Sequence, residues 1–210
     1  MQKSLSLHRN AAVTVLFHRR EVFFVRNTHS KTRMLCEGAV CIALSVALSY
    51  LKLPIGVSFG GFGGSIDLVM LPLILFAVRH GAAWGVLAGL AFGTLKYFFA
   101  EGFAISWVSM LLDYSVAYAC VGFAGLLHHR YRAMPLAALL GCLARFAVHF
   151  FSGVTVYAQY MPDEFMGSAM TSPAVYSLLY NGTYMLPNTV LAVVLCAMLI
   201  KPMQKLDRAE

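Results

Sequence analysis

The stretch ISWVSMLLDYSVAYACVGFAGLL, residues 105–127, is a long apolar run that contains one charged side chain, Asp113. A helix of about 20 apolar residues spans the hydrocarbon core of a bilayer, so this run predicts a transmembrane helix. A charged group at membrane depth costs roughly 3 kcal/mol or more and usually faces a cavity or a partner. Asp113 is therefore the first candidate functional residue.

Five further apolar segments flank this run and have the composition of membrane-spanning helices. They are Leu35–Leu51, Ser65–Val78, Gly81–Ala100, Met134–Tyr157 and Ala174–Ile200. The whole chain is 60% hydrophobic and 12% charged, about half the charged fraction of soluble domains. The pattern predicts an all-α polytopic membrane protein, a six-transmembrane-helix bundle, whose second span is short and tilted or partly re-entrant.

The net charge of +7 comes from basic residues that lie between the apolar segments. In a soluble protein this excess would suggest nucleic acid, but here it indicates topology and no nucleic-acid partner. The basic connections and tail hold Arg79, His80, His128, His129, Arg130, Arg132, Lys201, Lys205 and Arg208. Because basic loops stay inside, we expect a multi-pass membrane protein with both termini cytoplasmic.

The chain is predicted to have three parts with different composition. Residues 1–33 form a basic, disordered extension, residues 34–200 the six-helix membrane domain, and residues 201–210 a cytoplasmic tail. The extension lacks the continuous apolar run and small-residue cleavage site of a secretory signal. A surface-bound amphipathic piece at 16–25, or a true start at Met34, are alternatives.

The fifth segment carries two polar residues that could interact with Asp113 of the fourth segment. Arg145 and His149 are four residues apart, which places them on one side of a helix. Two interpretations stay open: a buried Asp113–Arg145 ion pair that fixes the bundle, or a polar cavity for a small cationic or hydrogen-bonding ligand.

Two other charged residues lie nearer the segment ends. Lys96 is expected to extend its amine towards the membrane surface along its apolar stem. Asp67 follows Ser65 at a predicted helix start, where a carboxylate interacts favourably with the helix dipole.

Aromatic and amide side chains accumulate near one end of the last two segments. They are Tyr157, Tyr176, Tyr180, Asn181 and Tyr184. Stacking rings beside an amide and a carboxylate suit a flat, nitrogen-rich heterocycle. Tyrosines also anchor helices at the membrane surface, which is the alternative for Tyr180 and Tyr184.

A stripe of small residues, Ala39, Ala43 and Ala47, runs along the first segment. Small residues at this spacing allow another helix to approach closely. The stripe predicts either internal packing or a docking face for a partner protein.

Over residues 34–200 the sequence resembles the thiamine-specific substrate-binding (S) components of energy-coupling-factor transporters. The resemblance rests on the order and spacing of several short pieces. These are the alanine stripe, Gly64–Leu68, Met70–Pro72, Leu112–Tyr114, Arg145–Phe146 with His149, Ser152–Gly153, and Tyr176–Asn181 through to Pro187.

The resemblance implies a six-helix subunit of an importer for thiamine, vitamin B1, that is not itself an enzyme and needs no cofactor or metal. It implies docking on a transmembrane coupling protein and two ATP-binding-cassette ATPases, with Ala39, Ala43 and Ala47 as the docking surface. It also implies a set of ligand-binding residues. That set is Asp113, Tyr114, His149, Gly153, Tyr157, Tyr176 and Asn181.

The expected roles follow from thiamine being a cation with an aminopyrimidine ring. Asp113 would offset its charge or accept from its amino group, His149 and Tyr157 would stack on its rings, and Tyr176 and Asn181 would add polar contacts. Two positions depart from the family. Relatives often have Glu where this chain has Asp113, and Trp where it has Tyr157. The glycine-rich loop 54–64 is predicted to act as a lid.

Other functions remain as alternatives. The nearest is an S component for another vitamin or a thiamine precursor. An intramembrane enzyme would be expected to carry a signature such as HExxH or GxSxG, and a secondary transporter an inverted repeat, and the sequence shows none of these. The GxxxxGK[ST] phosphate loop is also absent, so energy is expected to come from partner subunits.

Overall fold

The computed structural model describes residues 31–54, 63–100 and 102–208, and this part of the chain is mainly helical. Its six main helices are α1 (31–48), α2 (Met70–His80), α3 (Ala82–Phe99), α4 (Trp107–Leu127), α5 (Met134–Thr155) and α6 (Pro173–Met198). A shorter helix, α7 (Ile200–Arg208), follows α6. The predicted all-α membrane bundle is therefore confirmed.

Two short antiparallel hairpins connect the helices at one end. Strand β1 (Leu53–Pro54) pairs with β2 (Ser65–Ile66), and β3 (Glu164–Phe165) pairs with β4 (Ser168–Ala169). The predicted lid lies mostly at 55–62, outside the described residues. Residues 1–30 of the predicted extension also lie outside them, whereas residues 31–33 are helical and belong to α1.

Helix α2 is the short second segment that the sequence predicts. Helices α3 to α6 are each long and apolar enough to cross a membrane, but α2 has 11 residues. At 1.5 Å per residue it is about 17 Å long, roughly half the thickness of the hydrocarbon core. It begins at Met70 rather than at Ser65 because Ser65 and Ile66 are held in the hairpin with β1.

Protein covers most of the surface of α2. None of the residues 70–80 is exposed, and Leu73, Ile74, Ala77 and Val78 have essentially no accessible surface. A helix that is apolar all round is buried rather than amphipathic. Helix α2 is therefore part of the core around which the longer helices pack.

Three glycines let α3 lie against α4. Gly85, Gly89 and Gly93 recur every four residues, and a Cβ atom on Gly89 or Gly93 would collide with the carbonyl of Tyr118 or Tyr114. Small residues at this spacing permit close contact between membrane helices. The contact fixes the position of Tyr114, and with it that of the neighbouring Asp113.

The predicted basic connection between α4 and α5 lies near the C-terminal helix. The backbone N–H of His129 donates to the carbonyl of Val78 at 2.9 Å, and the His129 Nδ1 lies 4.0 Å from the Asp207 carboxylate of α7. Met203 of α7 is buried. The basic groups thus gather at the end of the molecule opposite the two hairpins.

The alanine stripe is exposed. Ala39, Ala43 and Ala47 are accessible, whereas Ser45 on another side of α1 and Ser49 just after its end are buried. Internal packing within the described part of the chain therefore does not explain the stripe, and the docking face stays a prediction.

Candidate functional site

A cavity of about 620 Å³ opens at the end of the bundle that carries the hairpins. Its lining combines charged side chains, aromatic rings and glycines. The lining residues are Lys52, Pro54, Gly63, Gly64, Ser65, Lys96, Ala100, Phe103, Asp113, Tyr114, Tyr118, Arg145, His149, Gly153, Tyr157, Tyr160, Tyr176, Tyr180, Asn181 and Tyr184. All seven residues that the sequence suggests as ligand contacts lie together on this lining.

A local change of helix geometry presents the acid of α4 to the cavity. After one α-helical turn at Trp107–Met110, the chain forms a π-helical turn over Leu111–Val116, which contains Asp113 and Tyr114. Such turns are rare within α-helices and are frequent at functional sites. The hydroxyl of Tyr114 donates to the carbonyl of Phe103 at 3.1 Å and accepts from its N–H at 2.7 Å.

Asp113 has two neighbours on α5. One carboxylate oxygen lies 3.1 Å from Nδ1 of His149, and the other accepts a hydrogen bond from the Ser152 hydroxyl at 3.0 Å. The alternative of an Asp113–Arg145 ion pair is therefore wrong. One face of α5 supplies both His149 and Arg145, as predicted, but only His149 reaches the acid.

Arg145 packs instead on Tyr118 of α4. Its guanidinium carbon lies 4.1 Å from the centre of the Tyr118 ring, and Nη2 donates to the Tyr118 hydroxyl at 3.0 Å. The side chain is 6% exposed. A cation over an aromatic face contributes about 0.5–2 kcal/mol, with the larger values where water is excluded.

Lys96 completes a buried set that we call the Asp67 network. The network comprises Asp67, Lys96, Tyr118, Arg145 and Asn188. The Lys96 amine lies 3.2 Å from the Asp67 carboxylate and 2.7 Å from the Tyr118 hydroxyl, and the residue is 8% exposed. The prediction that Lys96 extends to the membrane surface is wrong, because a carboxylate and a phenol inside the bundle hold its amine.

Asp67 has the predicted place directly before a helix. Its carboxylate accepts from the N–H of Val69 at 3.3 Å, one residue before α2 begins. Its own N–H donates to the Asn188 side chain at 2.9 Å, and Asn188 donates to the Ser65 carbonyl at 2.8 Å. The Asp67 network thus ties the start of α2 to α3 and α6.

Tyrosines of α6 form an aromatic wall on the other side of the cavity. The rings of Tyr176 and Tyr180 are stacked with centroids 5.6 Å apart, and Tyr184 follows one turn later. Tyr180 exchanges two hydrogen bonds with the backbone of Gly63, and the hydroxyl of Tyr184 donates to the Asn181 side chain. The alternative that Tyr184 anchors its helix at the membrane surface is therefore wrong, because this side chain is 5% exposed and bonded inside the bundle, whereas Tyr180 is half-buried and lines the cavity.

Two glycines of the lining are required by close approach. Gly153 faces the Ser177 side chain, so that any larger residue would push α5 and α6 apart. Gly64 has a φ of +98° and lies against the Tyr184 ring. A side chain at either position would change the shape of the cavity.

Tyr157 lies just beyond the end of α5 and lines the cavity mouth. Burial raises the pKa of Tyr157 to about 12, with the nearby Asp113 charge as a further cause. The phenol therefore keeps its proton near neutral pH and remains able to donate a hydrogen bond.

Several lining residues were not singled out in the sequence. Tyr118 follows Tyr114 by four residues, so helical spacing is a signal that places both on one face. Lys52, Phe103 and Tyr160 lie in connections between helices, where periodicity gives no information. Only the folded chain brings them to the cavity.

Comparison with known proteins gives one consistent result. Residues 35–207 match a family model described as thiamine transporter protein (Thia_YuaJ). The thiamine transporter ThiT of Bacillus subtilis is 32% identical over 148 residues, which cover 64% of this chain and 74% of the relative. ThiT of Lacticaseibacillus paracasei is 25% identical over 188 residues, covering 82% and 89%.

A solved structure supports the same fold. ThiT from Listeria monocytogenes superposes with a TM-score of 0.72 at 23% identity, and the match covers 84% of this chain and 98% of that chain. At this level of identity the likeness concerns the arrangement of the helices.

Proposed function

Because the chain belongs to the thiamine transporter protein family, we propose that its cavity is the thiamine-binding site of a membrane S component for vitamin B1 uptake. The observation that carries the assignment of the site is the position of Asp113. A π-helical turn aims this carboxylate at a cavity of about 620 Å³ within the bundle. Pockets for small molecules usually measure about 300–1,000 Å³.

The charge of Asp113 suits a cationic ligand. Its neighbours His149, Ser152 and Tyr157 carry no fixed positive charge. The fixed cations nearby are engaged elsewhere, since Lys96 contacts Asp67 and Arg145 packs on Tyr118. The thiazolium ring of thiamine would supply the positive charge that this part of the cavity lacks.

The aromatic wall suits the two rings of thiamine. Tyr176 of the wall and Tyr157 at the cavity mouth offer aromatic surface. Asn181 offers an amide that both donates and accepts hydrogen bonds. In our proposal Asp113 and Tyr114, His149, Gly153 and the α6 residues surround the ligand, and Gly153 lets α5 and α6 approach closely beside it.

The partners and orientation are part of the same proposal. The exposed Ala39, Ala43 and Ala47 form the surface that docks on a transmembrane coupling protein, which two ATP-binding-cassette ATPases drive. The basic end near α7 faces the cytoplasm of a bacterial cell, and the cavity opens to the outside. Thiamine is then captured outside and released after docking.

Isothermal titration of the purified full-length protein with thiamine tests the proposal. Calorimetry is preferred because neither of the two tryptophans, Trp84 and Trp107, is among the described lining residues. We expect saturable binding at micromolar thiamine or below. A lack of saturation in that range would sink the proposal.

Competition experiments define the ligand. We expect thiamine to be displaced by neither riboflavin nor biotin, and only weakly by the isolated aminopyrimidine or thiazole alcohol. Tighter binding of one half-molecule than of thiamine would instead identify a precursor transporter.

A further inference from the structure

The outer hairpin formed by β3 and β4 carries one buried side chain. Phe165 is 3% exposed, although Glu164, Ser168 and Ala169 beside it in the same hairpin are exposed. A tight turn sets this geometry, because Met166 and Gly167 both have positive φ angles, 52° and 77°. This backbone matches the right-handed twist of the strands and fixes which way Phe165 points.

Phe165 packs on the back of the aromatic wall. Its ring centre lies 5.3 Å from that of Tyr176 and 6.2 Å from that of Tyr180, in edge-on arrangements at 85° and 70°. Met170 and Met161 complete a small apolar cluster around these rings. Phe165 itself is absent from the described cavity lining, whereas Tyr176 and Tyr180 belong to it.

A further backbone hydrogen bond closes the hairpin at its base. The N–H of Met170 donates to the Asp163 carbonyl at 2.9 Å, which extends the ladder by one pair beyond β3 and β4. Phe165 is therefore presented from a closed hairpin rather than from a free loop.

Tyr180 transmits this contact to the opposite side of the cavity mouth. Its hydroxyl accepts from the N–H of Gly63 at 3.0 Å and donates to the Gly63 carbonyl, next to β2. Phe165, Tyr180 and Gly63 thus form a continuous path from one hairpin to the other across the mouth.

From this path we infer that Phe165 is a positioning residue that retains the ligand. It holds the Tyr176–Tyr180 pair in its stacked place and so slows dissociation. The inference rests on the proposed thiamine site. The loss of both edge-on contacts is expected to raise the dissociation rate about tenfold, which corresponds to about 1.4 kcal/mol.

Stopped-flow kinetics on the purified full-length chain test it. Phe165→Ala should raise the thiamine dissociation rate about tenfold and leave the association rate within about twofold, because the polar contacts of the cavity remain. Phe165→Leu should give a smaller increase. Ser168→Ala, which alters the exposed partner of Phe165 in the ladder, should match the wild type.

A double-variant cycle identifies the route. Tyr180→Phe removes the bonds to Gly63, so if Phe165 acts through Tyr180, the Phe165→Ala/Tyr180→Phe protein should dissociate no faster than the faster single variant. Additive effects would overturn this route.

The inference and the proposed function fail in different ways. Wild-type protein that binds no thiamine refutes the proposed function. Wild-type protein that binds, together with an unchanged dissociation rate in Phe165→Ala or an equal fall in association rate, refutes the role of Phe165. Should Phe165→Ala fail to purify as a monodisperse protein, Phe165→Leu decides, and an unchanged dissociation rate there overturns the inference.

Discussion

The Asp67 network and the Asp113 carboxylate with its neighbours on α5 are two buried polar regions of the same bundle, but their charges are balanced differently. Asp67 lies 3.2 Å from the Lys96 amine and accepts further hydrogen bonds from Ser65 and Val69. Asp113 borders the cavity, contacts His149 and Ser152 and lies within hydrogen-bonding reach of Tyr157, and among the described side chains no lysine or arginine pairs with it. One carboxylate is compensated within the chain, whereas the other is suited to a cation from outside it.

Burial alone therefore does not identify the acidic residue that binds a ligand. A buried charge left without its partner costs several kcal/mol, so a carboxylate paired inside the chain is part of the fold. A carboxylate whose neighbours are a histidine and a hydroxyl retains the capacity to bind a cation. The experiments below test whether the two regions separate stability from binding in this way.

Lys96→Met should have the largest effect, and the effect should be on stability. The substitution leaves the Asp67 carboxylate buried without its cation, for which we expect a loss of about 3–5 kcal/mol. Thermal unfolding of the purified protein in detergent measures it as a large fall in the midpoint.

A double substitution provides the control for that loss. Replacing both ions, in Lys96→Met/Asp67→Leu, should recover a large part of the midpoint, because an ion pair exchanged for apolar groups is often tolerated. A single variant that melts like the wild type would mean that the Asp67 network does not stabilise the fold.

Asp113→Asn should have the next largest effect, and the effect should be on binding. We expect thiamine affinity to fall tenfold or more, since the amide keeps the shape but cannot offset a positive charge. The unfolding midpoint should change little, because among the described side chains no lysine or arginine pairs with Asp113 and the amide can still bond to His149 and Ser152. Calorimetric titration and thermal unfolding of the same sample measure both quantities.

The exposed acid Asp163 supplies the matched control. Asp163→Asn removes the same charge near the hairpin β3–β4 without touching the cavity, and its affinity should equal that of the wild type. If Asp113→Asn also binds thiamine with wild-type affinity, the carboxylate does not interact with the positive charge of the ligand. If instead its main effect is on stability, the contrast with Asp67 disappears.

Tyr114→Phe should have the smallest effect. It removes the hydroxyl that bonds to both backbone groups of Phe103 but keeps the aromatic ring. A hydrogen bond contributes about 0.5–1.5 kcal/mol net, so affinity should fall by roughly twofold to tenfold. Calorimetry measures this change, and a loss larger than that of Asp113→Asn would show that the loop at Phe103 matters more than the charge.

The sequence predicted the membrane helices well because their signal is local. The ends of α3 agree with the segment Gly81–Ala100 within one residue, and α5 and α6 begin within one residue of their predicted starts. The second segment was the exception, since pairing with β1 holds Ser65 and Ile66 out of the helix. Pairing between distant residues leaves no periodic trace in either strand.

The sequence predicted the residues around the cavity but not their partners. Asp113 and His149 were expected on neighbouring helices, yet Arg145 was an equally reasonable partner for the acid. The choice depends on Tyr118, whose ring and hydroxyl take up the Arg145 guanidinium. The same hydroxyl holds Lys96, which stem length alone would have allowed to reach the membrane surface.

From the sequence alone it follows which segments lie in the membrane and which lie in water. Long apolar runs require a bilayer, clustered basic residues indicate which connections stay inside, and a charge within a run requires a cavity or a partner. The pairing of the charged side chains, in contrast, follows only from the tertiary structure. The π-helical turn at Leu111–Val116, the glycine contacts of α3 and the position of Tyr118 set distances of about 3 Å between residues far apart in the chain. Electrostatic energy depends on those distances. Only the packed bundle therefore distinguishes Asp67, which is paired within the chain, from Asp113, which faces the cavity.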